Sequence, residues 1–194
     1  MAEPAGVKPL PNLLLGQGEG REYIAGGTPR RPFWFLIGAI TIPIILLDQA
    51  TKLFVRTHLE LYESVALVRN YLDITYTLNP GAAFSILAEA PLWVRRAFLM
   101  MLSSIAIVVL IVLIYQSARV SVTSVAFALI AGGATGNLID RAFRGQVVDF
   151  VRAHYYDLNY PIFNVADSAI SIGVTLIILA TLFGNANNEA PGSG

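Results

Sequence analysis

Residues 97–115 read AFLMMLSSIAIVVLIVLIY, nineteen residues without a charge. One helix crossing a bilayer needs about 20 mostly apolar residues. Its backbone must satisfy its own hydrogen bonds, because the hydrocarbon core holds no water. This run reads as a membrane span, and the rest of the chain is organised around it. Three further windows qualify. Phe33 to Val55 is interrupted by Pro43, Asp48 and Lys52. Val120 to Ile139 is rich in Gly, Ser and Thr, and Val165 to Phe183 carries one charge, Asp167, at its start. Composition agrees: 55% of the chain is hydrophobic and 13% charged, where a soluble domain is about a quarter charged.

The connections are unequal. Gln116 to Arg119 turn the chain between spans two and three, whereas about 40 residues join spans one and two and about 25 join three and four. Four spans put both termini on one side and both long connections on the other, where function more often lives. Residues 1–32 hold several Pro and Gly without a sustained period and read as a disordered tail rather than a cleavable leader. Residues 184–194, GNANNEAPGSG, read as a second disordered tail. Arg30, Arg31 and Arg119 favour cytoplasmic termini, but Arg95, Arg96, Arg141, Arg144 and Arg152 fall on the opposite side. Charge alone leaves the orientation open.

Residues 72–79 alternate, with Leu72, Ile74, Tyr76 and Leu78 set against Asp73, Thr75, Thr77 and Asn79. That period predicts a half-exposed strand. It runs into NPGAAF, a turn followed by small residues. A small sheet on the membrane surface follows as the expectation.

Several chemistries are set aside early. Lys+Arg and Asp+Glu balance at 13 each, so nothing in the net charge points to nucleic acid. The absence of cysteine excludes disulfides, thiolate metal sites and a cysteine nucleophile. His58 and His154 lack zinc-site spacing, and no GxSxG, Walker or dinucleotide glycine pattern occurs. No metal or cofactor is expected. Tyr155, Tyr156, Tyr160 and Phe163 read as an interfacial aromatic belt.

The ionisable residues near the spans remain. Asp48 and Lys52 are four apart with the acid first, the favourable order for a helical pair. A structural ion pair and a functional one fit equally at this point. Gly132 and Gly136 form GxxxG, which lets helices approach closely within a bundle or between chains. Asn137, Asp140 and Arg141 follow on one helix face, where Asp140 and its neighbour Arg141 suggest a structural pair. Asp149 sits in VVDFV and Asp167 in FNVADSAI. Taken singly, they read as a loop acid and a helix cap. Brought together they could not both ionise easily, and one would keep a proton. One carboxyl could then take a proton from water while the other polarises a peptide carbonyl.

The chain resembles the bacterial lipoprotein signal peptidases, the signal peptidase II family. The matching blocks are LDQATK at 47–52, NPGAAFS at 79–85, GNLIDR at 136–141, VVDF at 147–150 and FNVADSA at 163–169, in the family's order. The resemblance implies a mainly α membrane protein of four transmembrane helices with a small extracytoplasmic β-sheet platform, the peptidase domain spanning 33–183. It implies an aspartic endopeptidase of the bacterial cytoplasmic (inner) membrane, with cytoplasmic termini and a site near the extracytoplasmic face. Its substrate would be a diacylglyceryl-modified prolipoprotein met in membrane lipid and cut just before the lipidated cysteine. The family's catalytic pair maps onto Asp149 and Asp167. Supporting positions map onto Asp48, Lys52, Asn79, Asn137, Asp140, Arg141 and Asn164, and Gly81, Ala82 and Ala83 would border the substrate groove. A monomer is expected. The rival readings are a proton- or ion-coupled transporter using Asp48, Asp140 and Asp167, and a non-catalytic scaffold.

Overall fold

The computed structural model describes residues 31–81 and 90–184. Most of the two tails expected to be disordered, and the groove residues Ala82 and Ala83, lie outside these described residues. Among the described residues, four helices are long and apolar enough to cross a membrane: α1 (Arg31–His58), α2 (Leu92–Gln116), α3 (Val122–Arg144) and α4 (Val165–Gly184).

Local chemistry explains where the helices bend, start and stop. Pro43 has no N–H to donate to the turn before it. Just ahead of it, Ile37–Thr41 form a π turn, with the N–H of Ile42 bonded to the carbonyl of Ile37. Helix α3 starts at a capping box: Ser121 Oγ accepts the Ser124 N–H at 3.2 Å and Ser124 Oγ accepts the Ser121 N–H at 2.8 Å. It ends at Gly145, whose φ of +82° is open to glycine at little cost. The expected span at 120–139 is therefore displaced. Residues 140–144, DRAFR with three charges, continue the helix, because the cap and the glycine, not apolarity, fix its ends.

A four-stranded antiparallel sheet runs in the order β1 (Ser64–Val68), β2 (Leu72–Asn79), β3 (Val147–Tyr155) and β4 (Leu158–Asn159). The first pair comes from one long connection and the second from the other. Pairing of β2 with β3 therefore brings both connections to the same end of the bundle. The expected strand at 72–79 is present, but its alternation does not persist. Ile74 faces Val151 and Thr77 faces Asp149, three steps on β2 against two on β3. This bulge moves Thr77 and Asn79 onto the face that carries Asp149.

Glycines set the helix spacing. A Cβ on Gly132 would meet Thr41 O and the Ile44 Cβ at 3.0 Å, against α1. One on Gly133 would overlap the carbonyl oxygen of Ala166, against α4. The small-residue stripe thus packs α3 between two helices of its own bundle. Leu36, Leu110, Ile114, Ala128 and Ala131 form a buried apolar cluster among α1, α2 and α3. The buried polar residues described next gather instead where α1, α3 and α4 meet the sheet.

Candidate active site

Asp149 stands on β3 in VVDFV and is 2% exposed, so it is not the surface-loop acid its sequence alone allowed. Its partners come from two other elements. Asn79 Nδ2 donates to Oδ2 at 3.0 Å, and Asn164 Nδ2 donates to Oδ1 at 2.7 Å. Burial pushes the Asp149 carboxyl up to about 6. The Asn79 hydrogen bond works against that, the charge of Asp167 adds to it, and Asn164 and Lys52 again oppose it.

Asp167 is half-buried in the first turn of α4. Asn164 and Asp167 cap each other. The Asp167 N–H donates to Asn164 Oδ1 at 2.9 Å, and the Asn164 N–H donates to Asp167 Oδ2 at 3.3 Å. Asn137 Nδ2, from α3, donates to Asp167 Oδ1 at 2.8 Å. The helix-cap reading of Asp167 is thus correct and does not compete with a role in a pair. Asn164 is fully buried and touches both carboxylates.

Amide orientation follows from the partners. Asn164 Oδ1 accepts the N–H of Asp167, which turns its Nδ2 to Asp149. Asn79 Oδ1 accepts the Gly81 N–H at 2.8 Å, which turns its Nδ2 to Asp149. Gly81 adopts φ +92°, a conformation that suits glycine in this turn.

Behind the two acids lies a buried ionic block. Lys52 Nζ is 2.8 Å from Asp48 Oδ2 and 2.9 Å from Asp140 Oδ2, and all three side chains are fully buried. Its third proton goes to Asn137 Oδ1 at 3.0 Å. Asp48 Oδ1 accepts the Ala166 N–H at 3.0 Å, and Asp140 Oδ2 accepts the Val148 N–H at 3.1 Å. The block therefore ties α1 and α3 to the start of α4 and to β3. Buried charges survive only when paired and hydrogen-bonded, and these are.

One expected pairing is not found. Asp140 pairs with Lys52 and Arg144, not with its neighbour Arg141. Adjacent residues on a helix diverge by about 100°, whereas i and i+4 share a face. Arg141 makes no ion pair with Asp140 but lies within electrostatic reach of Asp167, Asp149 and Asp140; its Nη1 donates to Asn137 O at 3.4 Å, and its Nε is buried with no hydrogen-bond partner among the described residues. Gln49 and Arg144 were not anticipated. Gln49 Nε2 reaches Asp48, Gly136 O and Asp140, and Arg144 Nη1 reaches Gln49 Oε1. Both could have been found from spacing, since Gln49 is three before Lys52 and Arg144 four after Asp140.

The structure thus joins Asp48, Lys52, Asn79, Asn137, Asp140, Asp149, Asn164 and Asp167 through hydrogen bonds and ion pairs, with Arg141 alongside. Two carboxylates held by amide N–H groups, one of them with a raised proton affinity, suit acid–base hydrolysis.

Comparison with known proteins agrees. The family model described as signal peptidase (SPase) II matches residues 40–183. A lipoprotein signal peptidase of Photorhabdus laumondii is 41% identical over 140 residues, covering 72% of this chain and 83% of the relative. One from Halalkalibacterium halodurans is 44% identical over 140 residues, covering 72% and 87%. A bacterial membrane enzyme solved by the in meso method at 1.9 Å is 33% identical with a TM-score of 0.69, covering 81% of this chain and 99% of that one. With most of its length matched by sequence and by fold, the chain belongs to the signal peptidase II family.

Proposed function

We propose that Asp149 and Asp167 are the catalytic dyad with which this protein removes the signal peptide from prolipoproteins. Membership of the family makes it an aspartic peptidase of the bacterial inner membrane that crosses the bilayer several times. The transporter and scaffold readings are not favoured. The observation that carries the dyad is Asn164, one buried side chain and backbone N–H that hold both carboxylates.

The pair shares one proton. The ionised carboxyl takes a proton from water as the water oxygen bonds to the scissile carbonyl carbon. The protonated carboxyl gives its proton to the carbonyl oxygen, forming a neutral gem-diol. On collapse, a diol proton returns to the second carboxyl and the first passes its proton to the leaving nitrogen. The C–N bond breaks, one water is consumed, and the dyad regains its single proton.

The substrate is a diacylglyceryl-modified prolipoprotein, entered from membrane lipid and cut just before the lipidated cysteine. The sheet lies at the extracytoplasmic face and both termini are cytoplasmic, with 33–183 as the peptidase domain between two tails. Gly81, Ala82 and Ala83 border the substrate groove, and Arg141 addresses the substrate backbone. The protein works as a monomer. Purified protein should be given a lipidated precursor and its unlipidated twin, with products read by mass spectrometry. One cut before the modified cysteine, in the lipidated form alone, is expected. Equal cleavage of the twin, or a cut elsewhere, would overturn the substrate assignment.

A further inference from the structure

We infer that Lys52 is a positioning residue for the reaction: it fixes the amide of Asn137 so that an N–H, not an oxygen, faces Asp167. The inference rests on the dyad reading above. Lys52 is fully buried, with an ammonium that only donates. Two of its three protons go to Asp48 and Asp140, and the third goes to Asn137 Oδ1 at 3.0 Å. Asn164 Nδ2 donates to the same oxygen at 3.2 Å. Asn137 is 6% exposed, so water offers its amide little alternative. Turned over, Asn137 would set its NH2 against the ammonium and its oxygen against Asp167 Oδ1, now 2.8 Å from Nδ2.

The three asparagines at the pair thereby follow one rule. Each amide oxygen is held by a group that only donates: Lys52 Nζ for Asn137, the Asp167 N–H for Asn164, the Gly81 N–H for Asn79. Each amide nitrogen donates to a carboxylate, that of Asn164 also reaching Asn137 Oδ1 and Val148 O. Two of these holds are backbone and local in sequence. The ammonium's hold on Asn137 comes from another helix, 85 residues away, is shorter than the Asn164 donation to the same oxygen, and is removed by a substitution at Lys52.

Removing Lys52 alone would strand two buried acids, so the test uses Asp48→Asn as the background. In it, Lys52→Met, Asn137→Ala and both together are compared for kcat and KM on a lipidated precursor, with thermal unfolding as a check on folding. Lys52→Met should lower kcat on the order of tenfold to a hundredfold with little change in KM. With Ala at 137 it should cost almost nothing. An equal kcat loss with Asn or Ala at 137 would overturn the inference, because a role in folding or through charge alone does not need the amide. Asn137→Asp in the otherwise natural protein covers the case in which the Lys52 variants fail to fold. It keeps the size and the Lys52 contact but turns an oxygen toward Asp167, so kcat should fall at unchanged KM. Natural kcat in that variant would also overturn the inference. Asp167→Asn, measured alongside, separates the two claims: full activity there removes the dyad itself, whereas loss there with no coupling removes only the role of Lys52.

Discussion

Asn164 donates to Asp149 Oδ1 at 2.7 Å across fifteen residues of chain, while its side-chain Oδ1 caps the helix that carries Asp167. One residue thus performs two separable jobs. Asn164→Ser keeps a capping oxygen but cannot reach Asp149. Asn164→Ala loses both. Both variants should lose stability, because the buried Asp149 carboxylate and Val148 O lose their Asn164 donor, and the Ala variant should lose about 1 kcal/mol more than the Ser variant through the missing cap. Both should lose activity, roughly a hundredfold or more. Thermal unfolding and initial rates on the same preparations check this, and an active Ser variant would contradict it.

Asp149 gives a pH dependence whose sign follows from burial. Its pKa is raised from 3.8 to about 6 in the folded protein. Between those values the folded state binds more protons than the unfolded one. The contribution of this group to stability is therefore fully present below about pH 4 and falls as pH rises toward 6. Asp149→Asn cannot ionise and lacks that loss. The difference in stability should shift toward the variant by about 2–3 kcal/mol between pH 4 and 7. Parallel unfolding curves across that range check the sign. A difference that stays flat would mean the carboxyl is not destabilised by its site.

Helix spacing should matter at one glycine and not at another. A methyl at Gly133 would overlap Ala166 O, one residue before Asp167, whereas nothing lies within 4 Å of a methyl at Gly38. Gly133→Ala should cost about 1–3 kcal/mol and lower activity by displacing the start of α4. Gly38→Ala should leave both within error. Equal behaviour of the two variants would show that α3 and α4 do not pack this closely.

Much of this architecture is legible in the sequence because membrane burial leaves few choices. Four apolar runs become four helices, and alternation at 72–79 becomes β2. Helix ends are less legible, since Ser121, Ser124 and Gly145 set them through local hydrogen bonds and φ rather than through hydropathy. The bulge in β2 is invisible to a period-two reading, because it exists only in the register against β3. Yet it is what carries Asn79 to Asp149. Partner choice on α3 went to Arg144 by helical geometry, where adjacency in sequence suggested Arg141. The residues of the pair carry their own mark: Asp149 among Val147, Val148, Phe150 and Val151 is an acid that burial must explain.

The most direct measurement is cleavage of a diacylglyceryl-modified precursor by the natural protein, Asp149→Asn and Asp167→Asn, each verified as folded by its unfolding curve. A dyad predicts that both variants lose roughly a thousandfold in kcat or more while the natural protein cuts. Substantial activity in either folded variant would contradict it, because a single remaining carboxyl cannot both take a proton from water and give one to the carbonyl.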